Sequence, residues 1–151
     1  MESFEEFSEV DTFRVINNTS IFAGIGHHEQ HMLVEKLFLV NRNADEIIIE
    51  QGEIGDSLYI IIKGRVTVSI RKASRGWIRI NTLGPGDVFG EIAILRNIPR
   101  TARITTETPC TFLTINAKDF LEIYHYFPPK SRDNIQLIVA KRLAQRTHSK
   151  S

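Results

Sequence analysis

Cysteine is almost missing. Cys110 is the single one in 151 residues, so no disulfide can form within the chain, a usage that fits a reducing compartment. Long apolar runs are missing too: none approaches the ~20 residues that span a bilayer. Met1 is followed by Glu2, Glu5, Glu6 and Glu9, the opposite of the basic start of a secretory signal. Nor does one sign of charge dominate. The 19 Lys and Arg set against 18 Asp and Glu leave +1 overall, which favours neither nucleic acid nor a membrane as a bulk partner. These absences predict a cytoplasmic location. The remainder, 42% hydrophobic and 25% charged without repeat or low-complexity tract, is ordinary for one folded domain. A chain this long buries roughly two-thirds of its unfolded surface, enough for a core without covalent staples.

Signs of catalysis are equally sparse. A cupin-like enzyme would share a β-rich architecture, but it holds a metal with strand histidines. Here His27, His28, His31, His125 and His148 all fall in helical or tail segments. In His28-Glu29-Gln30-His31 the second histidine comes one residue too early for a metalloprotease, and no third ligand lies near His27 and His31. Cys110 has no histidine close in sequence, and no serine sits in a nucleophile elbow. Gly84-x-Gly86-x-x-x-Gly90 misses the dinucleotide fingerprint by one residue. No catalytic residue, metal or cofactor is expected, and a cupin-like enzyme is the weaker alternative.

What the chain does have is a series of short alternating runs. Segments 38–40, 46–50, 58–63, 65–71, 77–83, 102–106 and 111–115 are β-like; Val66, Val68 and Ile70 alternate with Thr67 and Ser69 as a half-buried strand requires. Turn-forming residues separate them, so the spacing predicts an antiparallel sandwich or roll, not a parallel sheet. Helices flank this region. Residues 1–20 are acidic and carry Phe4, Phe7, Val10 and Phe13 three apart, an apolar stripe that packs on its own domain or, alternatively, docks a partner. A second helix is expected over 27–36, with Met32, Leu33, Leu37 and Phe38 facing inward. A third spans 117–127, with Asn116 as its cap and Pro128-Pro129 as its stop. The last spans 131–145, with Ile135, Ile138, Val139 and Leu143 on one face. Arg132, Lys141, Arg142 and Arg146 are assigned to the opposite, solvated face. Residues 147–151 are too few for a helix-turn-helix, so a complete transcription factor is not expected.

One stretch differs in texture: Gly84-Pro85-Gly86-Asp87-Val88-Phe89-Gly90-Glu91-Ile92-Ala93-Ile94-Leu95, continuing through Pro99-Arg100-Thr101-Ala102. Its glycines allow positive φ or a close approach of backbone to ligand. Residues 91–95 read as one helical turn whose first N–H groups lack internal partners and favour an anion. Arg100, on the far side of that turn, suits a phosphate, which a guanidinium grips through parallel hydrogen bonds. Glu91 would repel a phosphate, so it must face a donor-rich part of the same ligand, such as a sugar hydroxyl.

Phe89-Gly90-Glu91-Ile92-Ala93 followed by Pro99-Arg100-Thr101-Ala102 resembles the phosphate-binding cassette of the cyclic nucleotide-binding domain family, to which catabolite activator protein and the regulatory subunit of cAMP-dependent protein kinase belong. The resemblance extends upstream to 52–59 and 63–68 and covers roughly 21–127. It implies an antiparallel β-roll, a double-stranded jelly-roll-like barrel, with N-terminal helices, a short cassette helix and two C-terminal helices. Residues 1–20 then form an acidic helical segment, 21–127 the roll, and 128–151 a lid or output element with its tail. By the same resemblance Arg100 grips the exocyclic oxygens of a cyclic phosphate, Glu91 accepts from the ribose 2′-OH, and the N–H groups of Gly90 and Ala93 complete the cradle. Thr101 stands where cGMP-binding relatives often carry threonine, so cAMP and cGMP are both admitted. Val68, Ile80 and Leu83 are the candidates to bury the base, with plain barrel core as the competing assignment. The expected partner is a cyclic nucleotide, with a protein effector such as a kinase or channel docking on the terminal helices. Binding is expected to shift the last helix toward the cassette.

Overall fold

The computed structural model describes residues 7–148, and of Thr147 and His148 the backbone alone. Phe4, expected in the N-terminal stripe, lies outside these residues. Among the described residues eight strands occur in the order β1 (Phe38–Arg42), β2 (Ile47–Ile49), β3 (Ser57–Lys63), β4 (Val66–Lys72), β5 (Gly76–Leu83), β6 (Val88–Phe89), β7 (Arg103–Thr106) and β8 (Cys110–Asn116). They form two four-stranded sheets, β1-β8-β3-β6 and β2-β7-β4-β5, in which every pairing is antiparallel. This is the β-roll expected from the alternation of short strands. The two-residue strand β6, absent from the sequence reading, is held by pairing Tyr59 with Phe89 and Ile60 with Val88.

Period-2 alternation divides the core in two. On β3, Leu58 and Ile60 face a helical layer, while Tyr59 and Ile61 face the opposite sheet. On β8, Leu113 and Ile115 join the helical side and Phe112 the inter-sheet side. Phe112 is fully buried, with edge contacts to Tyr59 and Phe89 at 5.7 and 5.4 Å, and those two rings stack at 4.9 Å.

The helices α1 (Glu9–Asn17), α2 (His27–Lys36), α3 (Glu91–Arg96), α4 (Ala117–Tyr124) and α5 (Pro129–His148) complete the structure, with a 3-10 turn at Ser20–Phe22. Local chemistry sets their starts. Ser8 and Asp11 form a reciprocal capping box at α1, and the Asn116 side chain accepts from Asp119 N at 2.8 Å to cap α4. α4 ends at Tyr124, earlier than the prolines imply, and Pro129 becomes the first residue of α5, where a missing N–H costs nothing.

Two helix faces differ from the sequence reading. In α1 the buried residues are Thr12 and Ile16, whereas Val10 is 64% exposed, because Phe7 precedes the Ser8 cap and shares no helical face with Val10. In α2 Leu33 is buried, but Phe38 turns outward at 57% exposure, since the chain has already become strand β1. The largest change concerns α5. Ile135 and Val139 are fully buried against Phe22, Phe120 and Phe127 as expected. However, Arg132, Arg142 and Arg146 do not form a solvated face. They share the Ile135/Val139 stripe, each three or seven residues from one of its members, and are half-buried, leaving Lys141 exposed.

Among the described residues no helix is long and apolar enough to cross a membrane. Truncating Phe112 to alanine should remove about 3–5 kcal/mol of stability, read by urea unfolding, because its ring fills the gap between the sheets and leaves a cavity there.

Candidate functional site

The distinctive stretch runs from the 84–87 turn through β6 and α3 to the start of β7. Asp87 closes the turn by accepting from Gly84 N through its carboxylate at 2.9 Å, and Gly86 N donates to Ile61 O of β3. Phe89 and Ile92 then fix the stretch from two sides, at 2% and 4% exposure, in the inter-sheet and helical cores respectively. α3 is flanked by Gly90 as its N-cap, with φ of 90°, and by Asn97 as its C-cap, with φ of 52°.

Arg100 is only 6% exposed. Its guanidinium donates from Nη1 to Gly90 O at 2.8 Å and from Nη2 to Ser57 O at 2.7 Å, and Asp56 lies 3.9 Å away. The main chain is tied as well: Arg100 N donates to Glu53 O and its carbonyl accepts from Gly52 N. Glycine is required on both sides of this side chain. A Cβ on Gly90 would stand 2.7 Å from Ser57 O and 2.9 Å from Arg100 Nη1. One on Gly55 would stand 2.8 Å from the Ala93 Cβ and 3.1 Å from Arg100 Cζ. Burial lowers the Arg100 pKa from the ordinary arginine value, with Tyr59, Asp56, Glu91 and Glu53 acting in the opposite direction. Tyr59 is itself pushed up, first by burial and then by Asp56.

Glu91 is more deeply enclosed, at 1% exposure. Its Oε1 accepts from Arg142 Nη1 of α5 at 2.8 Å, and the same nitrogen donates to Val88 O at 2.6 Å. Its Oε2 is buried and has no hydrogen-bond partner. Arg146, one turn further along α5, is in the same position from the other side: Nε and Nη1 are buried without partners. Its pKa is lowered by burial, raised by Glu91 and lowered again by Arg142.

Glu91 and Arg100 border one cavity, together with Ile49, Gly90, Ile92, Ala93, Thr101, Ala102, Ile104 and Arg146. Of the cassette residues singled out in the sequence, Gly90, Glu91, Ile92, Ala93, Arg100, Thr101 and Ala102 meet there; Pro99 does not border the cavity, and Phe89 is buried in the core behind it. The cavity measures about 20 Å³, room for about one water, because α5 is already seated over it. Arg100 also borders a wider hollow of about 610 Å³ whose acidic residues are Glu50, Glu53 and Asp56. Of the candidate base-burying residues, Val68 and Leu83 are inter-sheet core at 2% and 7% exposure and Ile80 packs against them; none borders the cassette cavity. The Ile80 carbonyl does meet α5, accepting from Gln145 at 3.4 Å.

A family model described as the cyclic nucleotide-binding domain matches residues 39–126, more than half of the chain. The chain belongs to the cyclic nucleotide-binding domain family. It is 29% identical over 129 residues to a CRP-like cAMP-activated global transcriptional regulator of Mycobacterium tuberculosis, covering 85% of this chain and 57% of that protein. It is 36% identical over 107 residues to a cAMP-dependent protein kinase regulatory subunit of Dictyostelium discoideum, covering 68% of this chain and 30% of that one. Among solved structures, the regulatory domain of Toxoplasma gondii PKA with cAMP superposes with a TM-score of 0.73 at 23% identity, over 82% of this chain and 46% of that one. The chain thus spans between about a third and three-fifths of the curated relatives quoted.

Against that family background, the residues the sequence reading missed are Arg142 and Arg146. A signal was there: Ile135, Val139, Arg142 and Arg146 follow the i, i+4, i+7, i+11 spacing of a single helical stripe. Gly90→Ala should destabilise the cyclic nucleotide-binding domain by several kcal/mol on thermal or urea unfolding, since it combines positive φ with two sub-3 Å contacts.

Proposed function

We propose that this chain is a cyclic nucleotide sensor in which the cassette cavity takes cAMP or cGMP and the last helix relays occupancy. The observation that carries the reading is the pairing, on one cavity, of a buried arginine with a glutamate whose Oε2 is buried and unpartnered. That oxygen is a vacant acceptor for a hydroxyl, and Arg100 supplies the adjacent positive charge. A carboxylate this enclosed is costly to leave half-matched; a ribose hydroxyl would complete it, and an attached phosphate would lie against the Arg100 charge, which otherwise meets only two backbone carbonyls and Asp56 at 3.9 Å. Gly90 and Ala93 line the same cavity and keep it clear of bulky side chains.

The energetics are consistent with a second messenger. Hydrogen bonds to charged groups contribute about 1.5–3 kcal/mol each, while micromolar affinity needs about 8 kcal/mol, so burial of the base must add the rest. A cavity of about 20 Å³ does not hold a nucleotide, so α5 gives way as the ligand enters and re-seats around it. The relay then begins from a seated helix held by the Arg142–Glu91 pair, not from a distant one moving in. The ligand shifts α5 only by as much as it distinguishes the two positions. Output through a separate effector is the reading supported by the relative described as a protein kinase regulatory subunit, while the other is described as a transcriptional regulator.

Calorimetric titration with cAMP and cGMP tests the reading directly: saturable binding of at least one is expected, and binding of neither overturns it. Arg100→Ala should abolish measurable binding and lower stability by a few kcal/mol, because Gly90 O and Ser57 O lose their donor, while the circular dichroism spectrum is retained. Thr101→Ala should weaken cGMP more than cAMP, because the hydroxyl is the group available to the guanine amino nitrogen; equal losses for both nucleotides would remove Thr101 from the selectivity argument.

A further inference from the structure

Three guanidinium groups (Arg100, Arg142 and Arg146) converge on the cassette, against the single buried carboxylate of Glu91. Two of the three are accounted for. Arg100 donates to Gly90 O and Ser57 O, and Arg142 donates to Glu91 and Val88 O. Arg146 is not: it lines the cavity, and two of its buried nitrogens meet no acceptor. A guanidinium carries no acceptor and stays charged in proteins, so it cannot relieve this by losing a proton. The unpartnered Glu91 Oε2 does not take it up either, although both border the same space. The cavity therefore offers a donor-hungry oxygen on one residue and acceptor-hungry nitrogens on another. A molecule that completes both brings a hydroxyl and an anionic oxygen within one sugar-phosphate unit.

We infer that Arg146 is a second phosphate-binding cation of this site, carried in by α5, so that the bound anion is held by Arg100 from the roll and by Arg146 from the last helix. The inference rests on the reading of the cavity as a cyclic nucleotide site and adds a residue to it. Arg142 and Arg146 lie four residues apart and divide the work. Arg142 already ties the helix to Glu91 without a ligand, whereas Arg146 is satisfied only when an anion is in place. Anion binding thereby clamps the last turns of α5, and the helix position becomes dependent on the phosphate more than on the base.

Arg146→Ala and Arg146→Lys in the full chain test this, with cAMP titrated by calorimetry and inorganic phosphate followed through the Arg146 Nε–Hε resonance. Arg146→Ala should weaken cAMP about 10- to 100-fold, the worth of one charge-assisted contact, with an unchanged circular dichroism spectrum. Arg146→Lys should recover part of the loss, and phosphate should shift the Arg146 resonance in the wild-type chain. Unchanged or tighter cAMP binding by Arg146→Ala overturns the inference, since Arg146 would then only obstruct the cavity. Equal losses in both variants with no phosphate-induced shift overturn it as well, leaving a structural role alone. If the wild-type chain binds no cyclic nucleotide, the functional reading falls and the phosphate arm decides this one: a shift of the Arg146 resonance keeps it as an anion site, and no shift removes it.

Discussion

The structure turns on the burial of one carboxylate. Glu91 is 1% exposed, and such a group is tolerated in a folded interior only when a cation and hydrogen bonds replace its water. Arg142 supplies them from α5, at 2.8 Å, and anchors itself by a second bond to Val88 O. A helix distant in sequence is thereby fastened to the strand-and-turn unit that carries the cassette. Removing Arg142 would strand Glu91 without its ion-pair partner, a loss typically of about 3–5 kcal/mol for a buried pair, whereas Arg142 itself is only half-buried. The pair satisfies only one oxygen of the carboxylate; the other is buried without a partner among the described residues, on a residue that borders the cavity. One functional group thus both attaches the last helix and leaves an oxygen unpaired.

Arg100 is held by different means. Its guanidinium is wedged where Gly55 and Gly90 leave no room for a side chain, and two backbone carbonyls fix its plane. The sheets and the helical layer meet here. β6 pairs with β3 on one edge, and its Val88 carbonyl receives α5. Any ligand that alters the cassette acts at once on a strand and on a helix.

Much of this was legible in the sequence. The alternation of Val66, Val68 and Ile70, and of Leu58 and Ile60, gave the strands of the roll their faces, and the Phe89-to-Ala93 and Pro99-to-Ala102 runs gave the cassette. The helix at His27–Lys36 was placed to the residue, and Asn116 was rightly read as a cap. What was not legible depends on tertiary contact. β6 is two residues long and exists only because β3 pairs with it. The inward turn of Arg132, Arg142 and Arg146 is masked by their charge, which by itself suggests solvation, although their periodicity is that of the core stripe. Phe38 erred in the opposite direction, its hydrophobicity suggesting burial at a place where the backbone had already left the helix.

The single tryptophan occupies an informative place. Trp77 on β5 lies beneath Arg103, whose guanidinium carbon is 3.6 Å from the ring centroid, and Arg103 is held by both oxygens of Glu50. Arg103 follows Ala102 directly, so the last residue of the cassette is joined by one peptide bond to the cation that sits on the indole. Indole emission responds to the charge and motion of a cation in such contact. The chain therefore contains its own optical gauge of the cassette, with no second tryptophan to blur the signal and no dye to attach.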